Sequence, residues 1–143
     1  MPKMPKIKER INHFIGAPFV DGGRGPHGYD CWGLVMAVFR EFGLTLPDFE
    51  ISACNAARVG GQIMAGMVDA RSGRNSVWEE LERPEAPCIV AIKNHPRMVN
   101  HCGVYVGEGM FLHTMAKIGC VQDRIESPMW RKRLRGFFRL SNG

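Results

Sequence analysis

No apolar run in this chain approaches the roughly 18 residues that a membrane-spanning helix needs, so no membrane span is expected. The opening Met1-Pro2-Lys3-Met4-Pro5-Lys6 is basic but runs into mixed polar sequence. It has no secretory h-region, and the expectation is a protein made and folded in a reducing cytoplasm without a signal peptide. The five cysteines, Cys31, Cys54, Cys88, Cys102 and Cys120, are odd in number and contain no CxxC pair. Neither a disulfide framework nor a zinc ribbon is suggested. Internal repeats and low-complexity stretches are also lacking. No recognition motif accompanies the net charge of +5, so charge alone does not argue for a nucleic-acid partner.

What is present fits one domain over residues 1–143, with 45% hydrophobic and 23% charged residues. The basic excess is compatible with an anionic polymer. Much of it lies in Arg131-Lys132-Arg133-Leu134-Arg135, which reads first as a solvated turn or sheet edge.

The informative stretch is Gly28-Tyr29-Asp30-Cys31-Trp32-Gly33-Leu34-Val35. Cys31, Leu34, Val35, Val38 and Phe42 recur at one-face helical spacing, so a helix begins near Cys31. Asp30 is its expected N-cap and Gly43 its stop, and Pro47 opposes continuation. A thiol in a first helical turn meets unpaired N–H groups and the positive end of the helix dipole. These lower a cysteine pKa from about 8.5 and favour a thiolate nucleophile. The plainer role for such a cysteine is that of a small hydrophobe packed under the helix.

Upstream, Ile7, Ile11, Phe14 and Ile15 form an apolar stripe expected to make a short amphipathic helix. The run Gly16-Ala17-Pro18-Phe19-Val20-Asp21-Gly22-Gly23 reads as a loop, and His27 lies four residues before Cys31. Residues 52–68 suggest a loose helix weakened by glycines, and 71–75 a loop. Ser76-Val77-Trp78-Glu79 fits a capping box leading into a helical turn. Cys88-Ile89-Val90-Ala91-Ile92 reads as a buried strand, and Phe137-Phe138-Arg139-Leu140 as a last strand.

Between them, residues 100–114 consist of two β-rich runs around Gly107-Glu108-Gly109, a hairpin with a short glycine turn. Period-2 alternation puts His101, Gly103 and Tyr105 on one face and Cys102, Val104 and Val106 on the other. With Glu108 at the tip, Val106 pairs with Met110, Tyr105 with Phe111 and Gly103 with His113. His101 and His113 then become diagonal neighbours, roughly 7–8 Å apart between backbones. A bulge at either glycine would shift this register. Cys102, on the opposite face, is expected to point away from the base as core.

A cysteine at a helix start and two histidines on one hairpin face are what thiol acyl transfer requires. One imidazole takes the thiol proton and returns it to the leaving amine, while another polar group holds that ring in the useful tautomer. Cys31 is the candidate nucleophile, His101 the base and His113 the orienting residue.

The stretches at 28–35 and 101–113 resemble the two motifs of the NlpC-type papain-like cell-wall cysteine peptidases. Residues 16–23 are similar to that family's glycine-rich approach to the nucleophile. The resemblance spans residues 11–140 and implies an α+β papain-like domain with its nucleophile helix packed on an antiparallel sheet. It implies hydrolysis of peptidoglycan stem peptides, commonly between γ-D-glutamyl and a diamino acid, by Cys31, His101 and His113. No cofactor or metal is implied.

Departures from the pattern sharpen the expectation. Trp32 stands where cell-wall enzymes usually carry serine, and resembles a phage and prophage tail-associated branch. Tail proteins would then be partners, and the site of action a host wall or periplasm reached from a virion tail. Phe19 replaces a tyrosine common near the active site, which leaves the backbone N–H of Cys31 and the side chains of Tyr29 or His27 as candidate oxyanion donors. Tyr29, Asp30, Trp32 and His27 are candidate cleft walls. The competing readings are an acyltransferase or amidase using the same Cys-His-His site, a catalytically silent structural tail protein, and a metal site of Cys31, His101, Cys102 and His113. The last is opposed by alternation and by the absence of short ligand spacings.

Overall fold

A computed structural model of the protein describes residues 7–46, 78–93 and 101–140. The expectations for residues 52–68, for the loop at 71–75 and for Ser76-Val77 lie outside the described residues. The described chain runs α1 (Ile7–Asn12), α2 (Cys31–Glu41), β1 (Trp78–Leu81), β2 (Cys88–Ile92), β3 (His101–Gly107), β4 (Met110–Met115), β5 (Gly119–Arg124) and β6 (Leu134–Leu140). The six strands form one sheet in the order β1-β6-β2-β3-β4-β5, every neighbour antiparallel. The architecture is α+β with α2 packed on the sheet, as the resemblance implies. No helix among the described residues is long and apolar enough to cross a membrane.

The buried face of α2 places Leu34, Val35 and Val38 against Ile89, Ala91, Cys102, Val104 and Leu112 of the sheet. Asp30 caps α2, its carboxylate accepting from the Gly33 N–H at 2.7 Å. A second core of Val90, Ile92, Phe111 and Trp130 covers the opposite face of the sheet. The strands are therefore buried on both sides, which explains why β2 reads as an uninterrupted apolar run.

Several local expectations are corrected. The helix α1 ends at Asn12, so Ile11 and Phe14 are buried but Ile15 is exposed. Trp78 and Glu79 belong to a strand instead of a helical turn, because β1 gains a ladder with β6 (Trp78↔Leu140, Leu81↔Phe137) that a capping-box tetrapeptide cannot foresee. Leu134 and Arg135 open an interior strand, not an edge. Ala91 pairs with Gly136 and Ile92 with Leu134, so a bulge leaves Arg135 unmatched and exposed. Strand β5 was not anticipated.

The β3–β4 hairpin keeps Tyr105 opposite Phe111, but Met110 pairs with Gly107, so Val106 is bulged. The turn that forces this has positive φ at Gly107, Glu108 and Gly109 (100°, 55° and 75°). The Tyr105 hydroxyl accepts from the Gly109 N–H at 2.9 Å and braces it.

Candidate active site

Three of the expected site residues come together. His101 begins β3, His113 lies within β4, and the His101 Nε2 to His113 Nδ1 separation is 3.3 Å. Gly103 makes room for the pair, since a Cβ there would sit 2.7 Å from the Leu112 carbonyl oxygen and 3.2 Å from His113 Cβ. Cys31, the first residue of α2, hydrogen-bonds both His101 and Cys102. Cys31 and His101 are 5% and 8% exposed and His113 is fully buried.

The alternation of β3 holds and Cys102 is core, as expected, but the position brings a contact that alternation alone does not announce. Facing away from the histidines means facing α2, which places the Cys102 thiol against Cys31. That contact is the leading reason the Cys31 thiol lies well below its ordinary pKa. Burial opposes the shift, while His101, by hydrogen bond and charge, and the Cys102 N–H add to it. The Cys102 thiol is driven well above its ordinary value by the same contact and by burial, so it donates and Cys31 ionises. Burial pushes Cys88 and Cys120 up to about 12. All four described cysteines are free, and Cys31 is the one among them whose pKa is lowered.

The remaining candidates have other duties. Asp30 is buried between the Gly33 N–H and Arg24 Nη1 (2.8 Å), and its carboxyl is raised by burial, against those two bonds. Trp32 stands edge-on to Trp78 with ring centroids 6.3 Å apart. The Tyr29 ring is edge-on to Phe14 and lies over Gly25, where a Cβ would come within 2.5 Å of it. His27 is exposed on the loop. Among the described residues no group of three or more His, Cys, Asp or Glu side chains is placed to hold a metal ion.

Two residues escaped the sequence reading. Asp123 on β5 places Oδ2 2.7 Å from His113 Nε2, and Trp130 stands edge-on to the His113 ring at 4.6 Å. Recognising β5 as the continuation of the β4 meander, Thr114 opposite Cys120 and His113 opposite Val121, is the signal that would have found Asp123.

The same packing sets the acid response of the fold. Burial against the Phe111 and Trp130 rings lowers His113 from 6.5 to about 4, with Asp123 opposing and the nearby His101 adding to the shift. Between those values the unfolded chain binds a proton here that the folded chain does not. The stability present above pH 6.5 is thus lost as pH falls through about 4, by up to about 3 kcal/mol. Urea unfolding from pH 7 to 4 is expected to show this loss, and His113→Gln to remove that component. A variant whose pH slope matches the wild type would refute the assignment.

A model described as NlpC/P60 family matches residues 16–139. The chain belongs to the NlpC/P60 family. It is 30% identical over 100 residues to a protein of Mycobacterium tuberculosis named "Probable endopeptidase", a match covering 70% of this chain and 20% of that one. It is 25% identical over 142 residues to a "Gamma-DL-glutamyl hydrolase" of Bacillus subtilis, covering 97% and 30%. The chain thus spans about a fifth to a third of the length of these relatives. A solved NlpC/P60 family protein from Bacillus cereus superposes with a TM-score of 0.63 at 20% identity, over 94% of this chain and 39% of that one. That likeness establishes the papain-like fold; the Cys-His-His geometry is this chain's own.

Proposed function

We propose that this NlpC/P60 domain is a cysteine endopeptidase that hydrolyses peptidoglycan stem peptides at bonds of the γ-D-glutamyl–diamino acid type. The observation that carries the reading is the hydrogen-bonded series from Cys31 through His101 to His113. The likeness to an endopeptidase and to a γ-DL-glutamyl hydrolase supports the bond class.

In this mechanism the Cys31 thiol proton passes to His101. The thiolate attacks the scissile carbonyl carbon, and the oxyanion forms beside the first-turn N–H groups of α2, where the helix dipole favours negative charge. His101 then protonates the departing amine as the C–N bond breaks, leaving a thioester on Cys31. Water activated by the same imidazole opens the thioester and regenerates the thiol. Throughout, His113 holds the His101 ring; its own burial keeps it neutral.

Tail association is an extension that rests on Trp32, a residue with a packing role of its own against Trp78. It would add a site of action at a host wall and leave the chemistry unchanged.

The test is mass spectrometry of purified stem peptides incubated with the protein and, in parallel, with Cys31→Ala. Fragments that require Cys31 and carry a new γ-glutamyl carboxylate are expected. Their absence, with a thiol that still alkylates at mildly acidic pH, would refute the substrate assignment.

A further inference from the structure

We propose that Asp123 is a positioning residue for the reaction: accepting from His113 Nε2–H, it fixes the tautomer of His113 and, through it, the tautomer that His101 presents to Cys31. The inference rests on the roles given above to Cys31, His101 and His113, and deepens them.

The argument follows the donors and acceptors. A carboxylate only accepts, so the 2.7 Å contact between Asp123 Oδ2 and His113 Nε2 puts the His113 proton on Nε2. In the neutral ring Nδ1 is then a lone pair, and it faces His101 Nε2 at 3.3 Å. His101 must donate there, so its own proton sits on Nε2. The nitrogen left for Cys31 is Nδ1, with its lone pair free to take the thiol proton.

The opposite setting fails at each step. With its proton on Nδ1, His113 would set a bare Nε2 against the carboxylate, two acceptors in contact. His101 would have to turn a lone pair toward His113 and carry its proton on Nδ1. An N–H would then meet the Cys31 thiol, and the base could not accept a proton.

The surroundings leave the choice to Asp123. The other aromatic groups packed on His113 are Phe111, stacked on it, and Trp130, at right angles to it, with the Arg133 guanidinium over the Trp130 ring at 5.6 Å from its centroid. Asp123 keeps about a third of its side chain in solvent (34%), so its charge stays hydrated while the imidazole it holds is fully enclosed. Facing Cys31 are His101, Cys102 and Asp30, and none of these touches His113 Nε2.

Long-range proton–nitrogen correlation spectra of the nitrogen-15-labelled protein at pH 7 read the tautomers directly. The expected result is His113 protonated on Nε2 alone. Asp123→Asn, whose amide can donate as well as accept, should add the Nδ1–H form. In Asp123→Asn and Asp123→Ala, iodoacetamide alkylation of Cys31 at pH 6 should slow by about 10- to 100-fold with the thermal midpoint held within a few degrees, and peptide hydrolysis should fall by a similar factor. A wild-type ring protonated on Nδ1, or variants alkylating at the wild-type rate and pH, would overturn the proposal. Should neither variant fold, the wild-type tautomer alone decides. A wild-type Cys31 no more reactive at pH 6 than Cys88 or Cys120 would sink the catalytic reading and this inference with it. Loss of alkylation in the variants, with no stem peptide cleaved by the wild type, would uphold Asp123 and remove only the substrate.

Discussion

His101→Ala is expected to lower stem-peptide hydrolysis by a factor of at least about 10⁴, the scale seen when one member of a nucleophile–base unit is removed. The loss has two parts that pH separates. Without the imidazole, Cys31 forfeits one hydrogen bond and one favourable charge, but the Cys102 thiol, the Cys102 N–H and the start of α2 remain around it. Alkylation of Cys31 should therefore weaken at mildly acidic pH and recover as the pH rises past the ordinary thiol pKa of about 8.5. Hydrolysis should not recover. Raising the pH restores the thiolate but not the acid that protonates the departing amine, and the tetrahedral adduct then reverts by expelling sulfur. Hydrolysis in the variant within tenfold of wild type, or returning with pH in step with alkylation, would remove His101 from the role of base.

The unequal legibility of the site follows from which interactions are local. Helix α2 was readable because its cap, its apolar stripe and its glycine stop lie within residues 30–43 and agree with one another. The pairing of two histidines across β3 and β4 was readable because a short glycine turn fixes which residues oppose, although the bulge at Val106 was not, since it arises from three successive positive φ angles in the turn. Cys102 shows the limit of alternation: the pattern says which residues share a face but not which face receives the helix. Asp123 and β1 depend on strand pairings with β4 and β6, and neither Trp-Glu-Glu-Leu nor Gly-Cys-Val-Gln-Asp-Arg carries a period-2 signal strong enough to announce itself. What sequence could supply was the proposed nucleophile and its proposed base. What supports them was assigned by the sheet.

Gly33→Ala tests how Cys31, the proposed nucleophile, is held, and here propensity and packing predict opposite signs. Alanine inside an 11-residue helix is worth about 1 kcal/mol over glycine by intrinsic preference. At Gly33, however, an added Cβ would lie 2.0 Å from the Gly23 carbonyl oxygen and 3.1 Å from Asp30 Oδ1. That carbonyl is fixed from two sides, accepting from the Asp30 N–H at 3.2 Å and from Arg24 Nη1 at 3.1 Å. The methyl cannot be admitted without moving the backbone of the 22–28 loop. Such a movement breaks the Asp30 cap and strains the Arg24–Asp30 pair, adding about 1 kcal/mol for the cap to the 1–3 kcal/mol of an overpacked site. Set against the helix preference for alanine, a net destabilisation of about 1–3 kcal/mol is expected in urea unfolding, with Cys31 alkylation at pH 6 slowed because the first turn of α2 no longer presents its N–H groups in register. A variant as stable as the wild type, or more so, would mean that the loop yields freely and that the close approach of Gly23 to α2 is not what seats Cys31.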